Sequence, residues 1–112
     1  MDRFVPRIMQ SFLSVLAVMF VLSTSVRADD AATIYKAKCA GCHGADGAGN
    51  TPAAKTLGVR DFHSAEVEKE TEAEFTEIIA KGKNKMPKYA EKLSEAEIKE
   101  LATYARTLGK KK

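Results

Sequence analysis

The sequence predicts an all-α fold, and three observations support that prediction. Two capping boxes precede apolar runs: Thr71 is followed three residues later by Glu74, and Ser94 by Glu97. The apolar residues after each box recur at the three- and four-residue spacing of a helix. No segment shows the apolar–polar alternation of a strand, and no internal repeat is found. A chain of 112 residues has room for one domain.

Residues 1–28 have the layout of a secretory signal peptide. Two arginines make a basic start, residues 12–22 are an apolar run broken only by a serine, and the small residue Ala28 ends the segment. The run is shorter than the roughly 20 residues that a membrane-spanning helix needs. We therefore expect cleavage after Ala28, no stable membrane insertion afterwards, and one domain of residues 29–112 in the periplasm or an equivalent exported compartment.

Removal of this leader leaves a nearly neutral chain. Arg3, Arg7, Arg27 and Asp2 leave with it, so 15 of the 18 Lys and Arg residues and 14 of the 15 Asp and Glu residues remain. A net charge of +1 produces no strong positive field, and nucleic acid is therefore not an expected partner.

The first part of the domain is predicted to be a helix followed by a long loop. Asp30 can cap a helix that begins at Ala31 and leads into Cys39. Residues 41–58 are rich in glycine, lack apolar periodicity and contain a turn signal at residues 50–52. A loop of this length in a small domain usually packs on something other than the protein.

The second part is predicted to contain two helices, one after each capping box. The helix after Thr71 is expected to end at Gly82 and the helix after Ser94 at Gly109, because glycine readily adopts the left-handed conformation of a helix end. The acidic run of residues 66–77 is interpreted as a solvated helix face.

The segment Cys39-Ala40-Gly41-Cys42-His43 contains both cysteines of the chain. On a helix, positions i, i+3 and i+4 share one face, so both thiols and the imidazole point to the same side. This spacing is typical of c-type haem attachment, with two thioethers to the porphyrin and the imidazole on the iron. A redox-active dithiol would need a strand before the motif, and the sequence predicts none. A structural zinc site needs four ligands, and His63 is the only further imidazole outside the motif.

Met86 is the candidate for the second axial ligand. The other three methionines lie in the leader, so Met86 is the only methionine of residues 29–112. It stands in a Gly- and Lys-rich loop outside any apolar periodicity and directly before Pro87, whose fixed φ stiffens the loop. A thioether is a soft ligand that favours ferrous iron. His63 is the rival ligand, but it is more simply interpreted as a surface or turn histidine.

The chain resembles the class I cytochromes c, and particularly the small soluble type of photosynthetic and other bacterial electron chains. The resemblance covers nearly all of residues 31–108. Besides the haem motif, it rests on an aromatic residue before the motif, a distal segment and a pair in the last helix: Tyr35, Gly82-Lys83-Asn84-Lys85-Met86-Pro87, Leu101 and Tyr104.

This resemblance implies a cytochrome c-like helical domain wrapped around one covalent haem c. The first helix is expected to cross the last one, with Tyr35 against Leu101 or Tyr104. It also implies that the carbonyl of a loop proline, here Pro52, accepts the second N–H of the His43 imidazole and so orients it.

The expected function is one-electron transfer by a monomeric carrier without catalytic residues. Lys83, Lys85 and Lys88 flank Met86, and a basic rim near the exposed haem edge would steer redox proteins that have an acidic docking face. Two alternatives stay open: an open-site haem enzyme or gas sensor in which Met86 is not a ligand, and a docked haem subunit of an oxidase or dehydrogenase.

Overall fold

The computed structural model describes residues 27–111, which are helical and without a β-strand. The predicted signal peptide lies outside these residues except for its last two positions. No helix among the described residues combines the length and apolarity needed to cross a bilayer. The helices are α1 (Ala28–Lys38), α2 (Ala40–His43), α3 (Pro52–Leu57), α4 (Ala65–Glu68), α5 (Glu72–Lys81) and α6 (Glu95–Lys110). The all-α prediction is thus confirmed.

Helix α1 begins three residues before the predicted start. Arg27 is its N-cap, and Asp30 lies inside the first turn, where its carboxylate accepts a hydrogen bond from the Arg27 backbone N–H at 3.2 Å. The prediction of Asp30 as the cap was wrong because an acidic residue is favourable throughout the first helical turn, near the partial positive charge of the helix N-terminus.

The predicted loop of residues 41–58 contains a short helix, α3. Thr51 is its N-cap and accepts a hydrogen bond from the Ala54 N–H at 3.0 Å, and Pro52 occupies the first turn. The helix ends at Gly58, which has a left-handed conformation. The residues interpreted as a turn signal therefore start a helix, since a hydroxyl cap followed by proline favours that start equally well.

Both capping boxes form as predicted, whereas only one of the two predicted glycine stops is correct. Thr71 and Ser94 each accept from the backbone N–H of the glutamate three residues on, and α5 ends at Gly82. Helix α6 continues through Gly109, which is buried. A Cβ at this position would lie 2.7 Å from the carbonyl oxygen of Phe62. Gly109 thus allows two backbones to approach closely instead of ending the helix.

The core forms where α6 packs across α1 and α5. Tyr35 of α1 contacts Tyr104 with a ring-centroid distance of 5.3 Å, and Leu101 belongs to the same cluster, as the sequence predicted. A second cluster lies where α4 and α5 meet α6: Val67, Phe75, Ala102 and Ala105. Phe62 packs against both clusters. Its position brings the loop before α4 into the centre of the domain.

Candidate haem site

All six described helices contribute to the wall of a cavity of about 450 Å³. This volume lies within the range of natural cofactor pockets, roughly 300–1,000 Å³. Aromatic and aliphatic residues of both core clusters line it, including Tyr35, Phe75 and Leu101. The loop and the helices thus pack around a common space, as expected for a domain built on a cofactor.

Cys39, Cys42 and His43 lie together on one wall of this cavity. Cys39 lies between α1 and α2, and the other two residues belong to α2. Two hydroxyls hold this short helix: Tyr35 donates to the Gly44 carbonyl and Thr51 donates to the Cys42 carbonyl, both at 2.7 Å. These bonds satisfy carbonyls that a helix end leaves without partners, and they fix the motif against the cavity.

The surroundings of His43 and Cys39 fit cofactor attachment better than thiol redox chemistry. Burial lowers the pKa of His43, with a smaller contribution from the positive charge of Arg60, so the imidazole is in its neutral, metal-binding form. Burial raises the pKa of Cys39 to about 11, whereas an activated dithiol needs a lowered thiol pKa. Cys39 and Cys42 do not form a disulfide with each other, so both thiols are available for attachment. Among residues 27–111, no group of three or more His, Cys, Asp or Glu side chains is arranged to hold a metal ion.

Met86 lines the same cavity as the two cysteines and His43. The segment after α5 folds back on the helix, since the Met86 N–H donates to the Lys83 carbonyl at 2.9 Å and the Tyr89 N–H donates to the Ile79 carbonyl at 3.0 Å. At Gly82, φ is +75°, and a Cβ there would lie 2.6 Å from the Met86 carbonyl oxygen. Glycine is therefore required where α5 turns into the loop that carries Met86.

The predicted hydrogen bond between His43 and Pro52 is not present. Nδ1 of His43 is buried and has no hydrogen-bond partner among the described residues. The Pro52 carbonyl accepts from the Thr56 hydroxyl at 3.2 Å instead. The physical reason is that Pro52 starts α3, so its carbonyl points along that helix and is used there.

Phe62 contacts the His43 imidazole, a role that the sequence did not indicate. The two ring centroids are 4.9 Å apart and the planes are inclined by 32°. Phe62 also meets Phe75 edge-on at 5.9 Å. The only signal in the sequence was an aromatic residue in a segment without helical periodicity, which is too weak to assign a role. Packing against Phe62 restricts the orientation of the imidazole.

His63 is not a cavity residue, in agreement with its interpretation as a turn histidine. Its Nδ1 lies 2.7 Å from Oδ1 of Asp61, and this hydrogen bond is the main cause that raises the pKa of His63. His63 is not among the residues that line the cavity. The rival to Met86 is thereby placed away from the candidate site.

The lysines near Met86 divide between the cavity and the surface. Lys83 and Lys85 line the cavity, whereas Lys88 is exposed but does not line it. Lys38, which the sequence did not single out, also lies on the cavity wall. Leu57 lines the same cavity. Among the described residues it is the large apolar side chain that is exposed, at 38%.

The donor set fits a covalently bound haem. Two thiols and a neutral imidazole lie on an apolar cavity of suitable size, and a thioether from a separate loop lines the same space. The buried but unpaired Nδ1 leaves the other ring nitrogen as the one available to iron. This combination of helical fold and site defines a small c-type cytochrome.

Comparison with known proteins gives the family. Residues 26–104 match the family described as cytochrome C oxidase, cbb3-type, subunit III, and the chain belongs to that family. A solved structure titled KustC0563 c-type cytochrome is similar, with 34% sequence identity and a TM-score of 0.64 over 71% of this chain and 98% of that one. No curated protein matches the chain. The protein therefore carries haem c attached through Cys39 and Cys42, and its chemistry is haem-based electron transfer.

Proposed function

We propose that the protein is a one-electron carrier whose haem iron is ligated by His43 and Met86. The observation that carries this proposal is that both side chains line the cavity that also holds the two attachment thiols. When bound, the haem supplies an iron that alternates between the ferric and ferrous states. His43 and Met86 would together hold the iron in both oxidation states, so its coordination would not change during electron transfer and no position would be left for a substrate.

The alternative of an open-site enzyme or gas sensor finds little support in the cavity. Peroxide chemistry needs an acid–base side chain on the open side of the iron. Glu70 is the carboxylate that lines the described cavity. It forms an ion pair with Arg60 at 2.6 Å and is therefore not a free acid–base group. His63, the remaining imidazole, pairs with Asp61 outside the cavity.

Carbon monoxide binding tests the axial ligand. We expect ferrous wild-type protein to resist carbon monoxide, because Met86 occupies the position, and Met86→Ala to bind it readily. The oxidised wild type should also show the weak near-infrared band of a methionine–iron bond, and Met86→Ala should lack it. Stopped-flow absorbance and near-infrared spectra measure both.

Ile78→Ala is the matched control, because it removes apolar volume from the same cavity without removing the candidate ligand. Ile78→Ala should keep the near-infrared band and resist carbon monoxide. Equal rates of carbon monoxide binding in the wild type and Met86→Ala would show an open distal site, and the carrier proposal would have to be given up.

For partners, we propose redox proteins with an acidic docking face. Support comes from Lys38, Lys83 and Lys85, which lie on the cavity wall, and from the exposed Leu57, which lines the same cavity. A positive rim around an apolar contact would raise the encounter rate with an anionic partner.

Charge reversal at Lys83, Lys85 and Lys88 should slow electron exchange with hexacyanoferrate, an anionic one-electron probe, by about tenfold or more at low salt. The difference should shrink as ionic strength rises, because salt screens exposed charges. Stopped-flow kinetics across a salt series measure it. The control is charge reversal of three exposed lysines that do not line the cavity: Lys36, Lys99 and Lys110. Equal slowing in both triple variants would show that net charge alone acts.

A second candidate function, a docked haem subunit of an oxidase, is favoured by the description of the matching family. Cell fractionation separates the two. A diffusible carrier exported through the leader of residues 1–28 is released by osmotic shock as a monomer that begins at Asp29. A docked subunit stays with the membrane fraction and leaves it only with detergent and its partner chains.

A further inference from the structure

Arg60 and Glu70 form an ion pair on the cavity wall that the haem attachment does not use. Nη1 of Arg60 lies 2.6 Å from Oε1 of Glu70, and both residues line the cavity. Arg60 precedes α4 and Glu70 follows it. The pair therefore brings one positive and one negative charge to the same part of the wall.

The pair lies on a largely apolar wall. Val59, Phe62 and Val67 line the same cavity, and the side chains of Glu70 and Arg60 are 18% and 41% exposed. Charges interact more strongly next to apolar, low-dielectric surroundings than in water.

The ion pair between Lys81 and Glu77 lies on the surface, away from the cavity. Lys81 and Glu77 are 3.0 Å apart, but their side chains are 74% and 63% exposed and do not line the cavity. Solvent and salt screen a pair of this kind almost completely. It provides a matched comparison for the cavity pair.

We propose that the Arg60–Glu70 pair tunes the reduction potential of the haem, because Glu70 cancels the positive charge that Arg60 would otherwise place at the cavity. Ferric haem takes up one electron from its donor and becomes ferrous, so the site loses one unit of positive charge. A net positive charge on the wall favours the ferrous state and raises the potential, and a net negative charge lowers it. The inference rests on the proposed function only in taking the haem iron as the redox centre.

The midpoint potential of the haem-loaded full chain, measured by spectroelectrochemistry, tests this proposal. Glu70→Gln leaves Arg60 uncompensated and should raise the potential. Arg60→Gln leaves Glu70 uncompensated and should lower it. The double variant should return to near the wild-type value, so the two single shifts should be opposite in sign and cancel. Glu77→Gln, which breaks the exposed pair, should shift the potential much less than Glu70→Gln.

Shifts of the same sign in both single variants would overturn the proposal, because a merely structural role of the pair predicts a common direction. A Glu70→Gln shift no larger than that of Glu77→Gln would also overturn it. If Arg60→Gln does not fold, the midpoint potentials of Arg60→Lys and Glu70→Gln are compared instead. A wild-type potential in Arg60→Lys beside a raised one in Glu70→Gln supports the charge account, and a common shift refutes it. Carbon monoxide binding by the wild type would refute the carrier while leaving these potentials measurable.

Discussion

Under the proposed function, the distal coordination depends on the single side chain of Met86, which is the only methionine of the proposed mature chain. Its thioether reaches the cavity because Gly82 lets the chain turn sharply after α5. The potential of a c-type haem follows the identity of its axial ligands. The donor atom at this position should therefore determine the potential more strongly than any neighbouring residue.

Replacement of Met86 by His should keep the iron six-coordinate and lower its reduction potential. An imidazole is a harder donor than a thioether and favours ferric iron, so we expect a fall of about 0.1 V or more, within the ~0.8 V range that axial ligands cover. Redox titration with optical spectra measures both quantities. Met86→Leu, which keeps apolar bulk but has no donor, should bind carbon monoxide instead. A Met86→His potential equal to that of the wild type would mean that residue 86 does not ligate the iron.

His43 illustrates how packing can replace a hydrogen bond at the residue scale. Its Nδ1 is buried and has no hydrogen-bond partner among the described residues, and the ring lies against Phe62. A hydrogen-bond acceptor at this nitrogen normally makes an imidazole a stronger donor to a metal. If His43 ligates the iron as proposed, it would therefore be a weaker donor, which would raise the potential in the same direction as the proposed methionine ligand.

At the scale of elements, α6 organises the domain because α1, α4 and α5 all pack on it. Its N-terminus is held by the Ser94–Glu97 capping box, and its buried face includes Leu101 and Ala105. Its C-terminal turn lies on the backbone of Phe62 at Gly109. The last turn of α6 therefore supports the residue that contacts His43.

Gly109→Ala should destabilise the protein although alanine favours helix. The added Cβ would lie 2.7 Å from a backbone oxygen that cannot rotate away. Overpacking of this kind costs about 1–3 kcal/mol, against a gain of about 1 kcal/mol in helix propensity, so we expect a net loss of about 1 kcal/mol. Chemical denaturation of the haem-loaded protein measures it. Gly41→Ala is the control, since no atom lies within 4 Å of its added Cβ, and a larger loss there would contradict the steric explanation.

At the scale of the whole molecule, the core is built around a cavity that the haem would fill. The helices surround a cavity of about 450 Å³, and the buried residues form two small clusters on its walls. Domains of this size bury a limited share of their surface and often need a metal or cofactor to fold. The stability of this chain should therefore depend on the attached cofactor.

The double variant of Cys39 and Cys42 to Ala should fail to give a stable, cooperatively folded protein, because the covalent attachment is lost and the cavity is left without its filling. Each single variant should retain haem through the remaining thioether, with lower yield and stability. Thermal denaturation followed by circular dichroism, together with haem absorbance per chain, measures this. A haem-free double variant with a sharp, cooperative transition would show that the protein core suffices.

The features that the sequence determined by itself are local ones. The two capping boxes and the Cys39–His43 spacing each lie within five residues, and helix geometry alone brings their members together. The sequence also singled out Met86, the only methionine of residues 29–112, and its neighbours Lys83 and Lys85, and all three residues line the cavity. Expectations failed where one local pattern fits two structures, as at Asp30, which suits a cap or a first turn, and at Thr51 with Pro52, which suit a turn or a helix start.

Only the tertiary structure decided the contacts between segments that are distant in the chain. The stacking of Phe62 on His43, its approach to Gly109, and the placement of Arg60 with Glu70 on the cavity wall depend on how α4 and α6 pack. Such contacts leave no periodic pattern in the sequence, because the residues next to each partner in the chain do not determine which distant residue it meets. The same reason explains why the carbonyl of Pro52 was assigned to His43 and is found within α3.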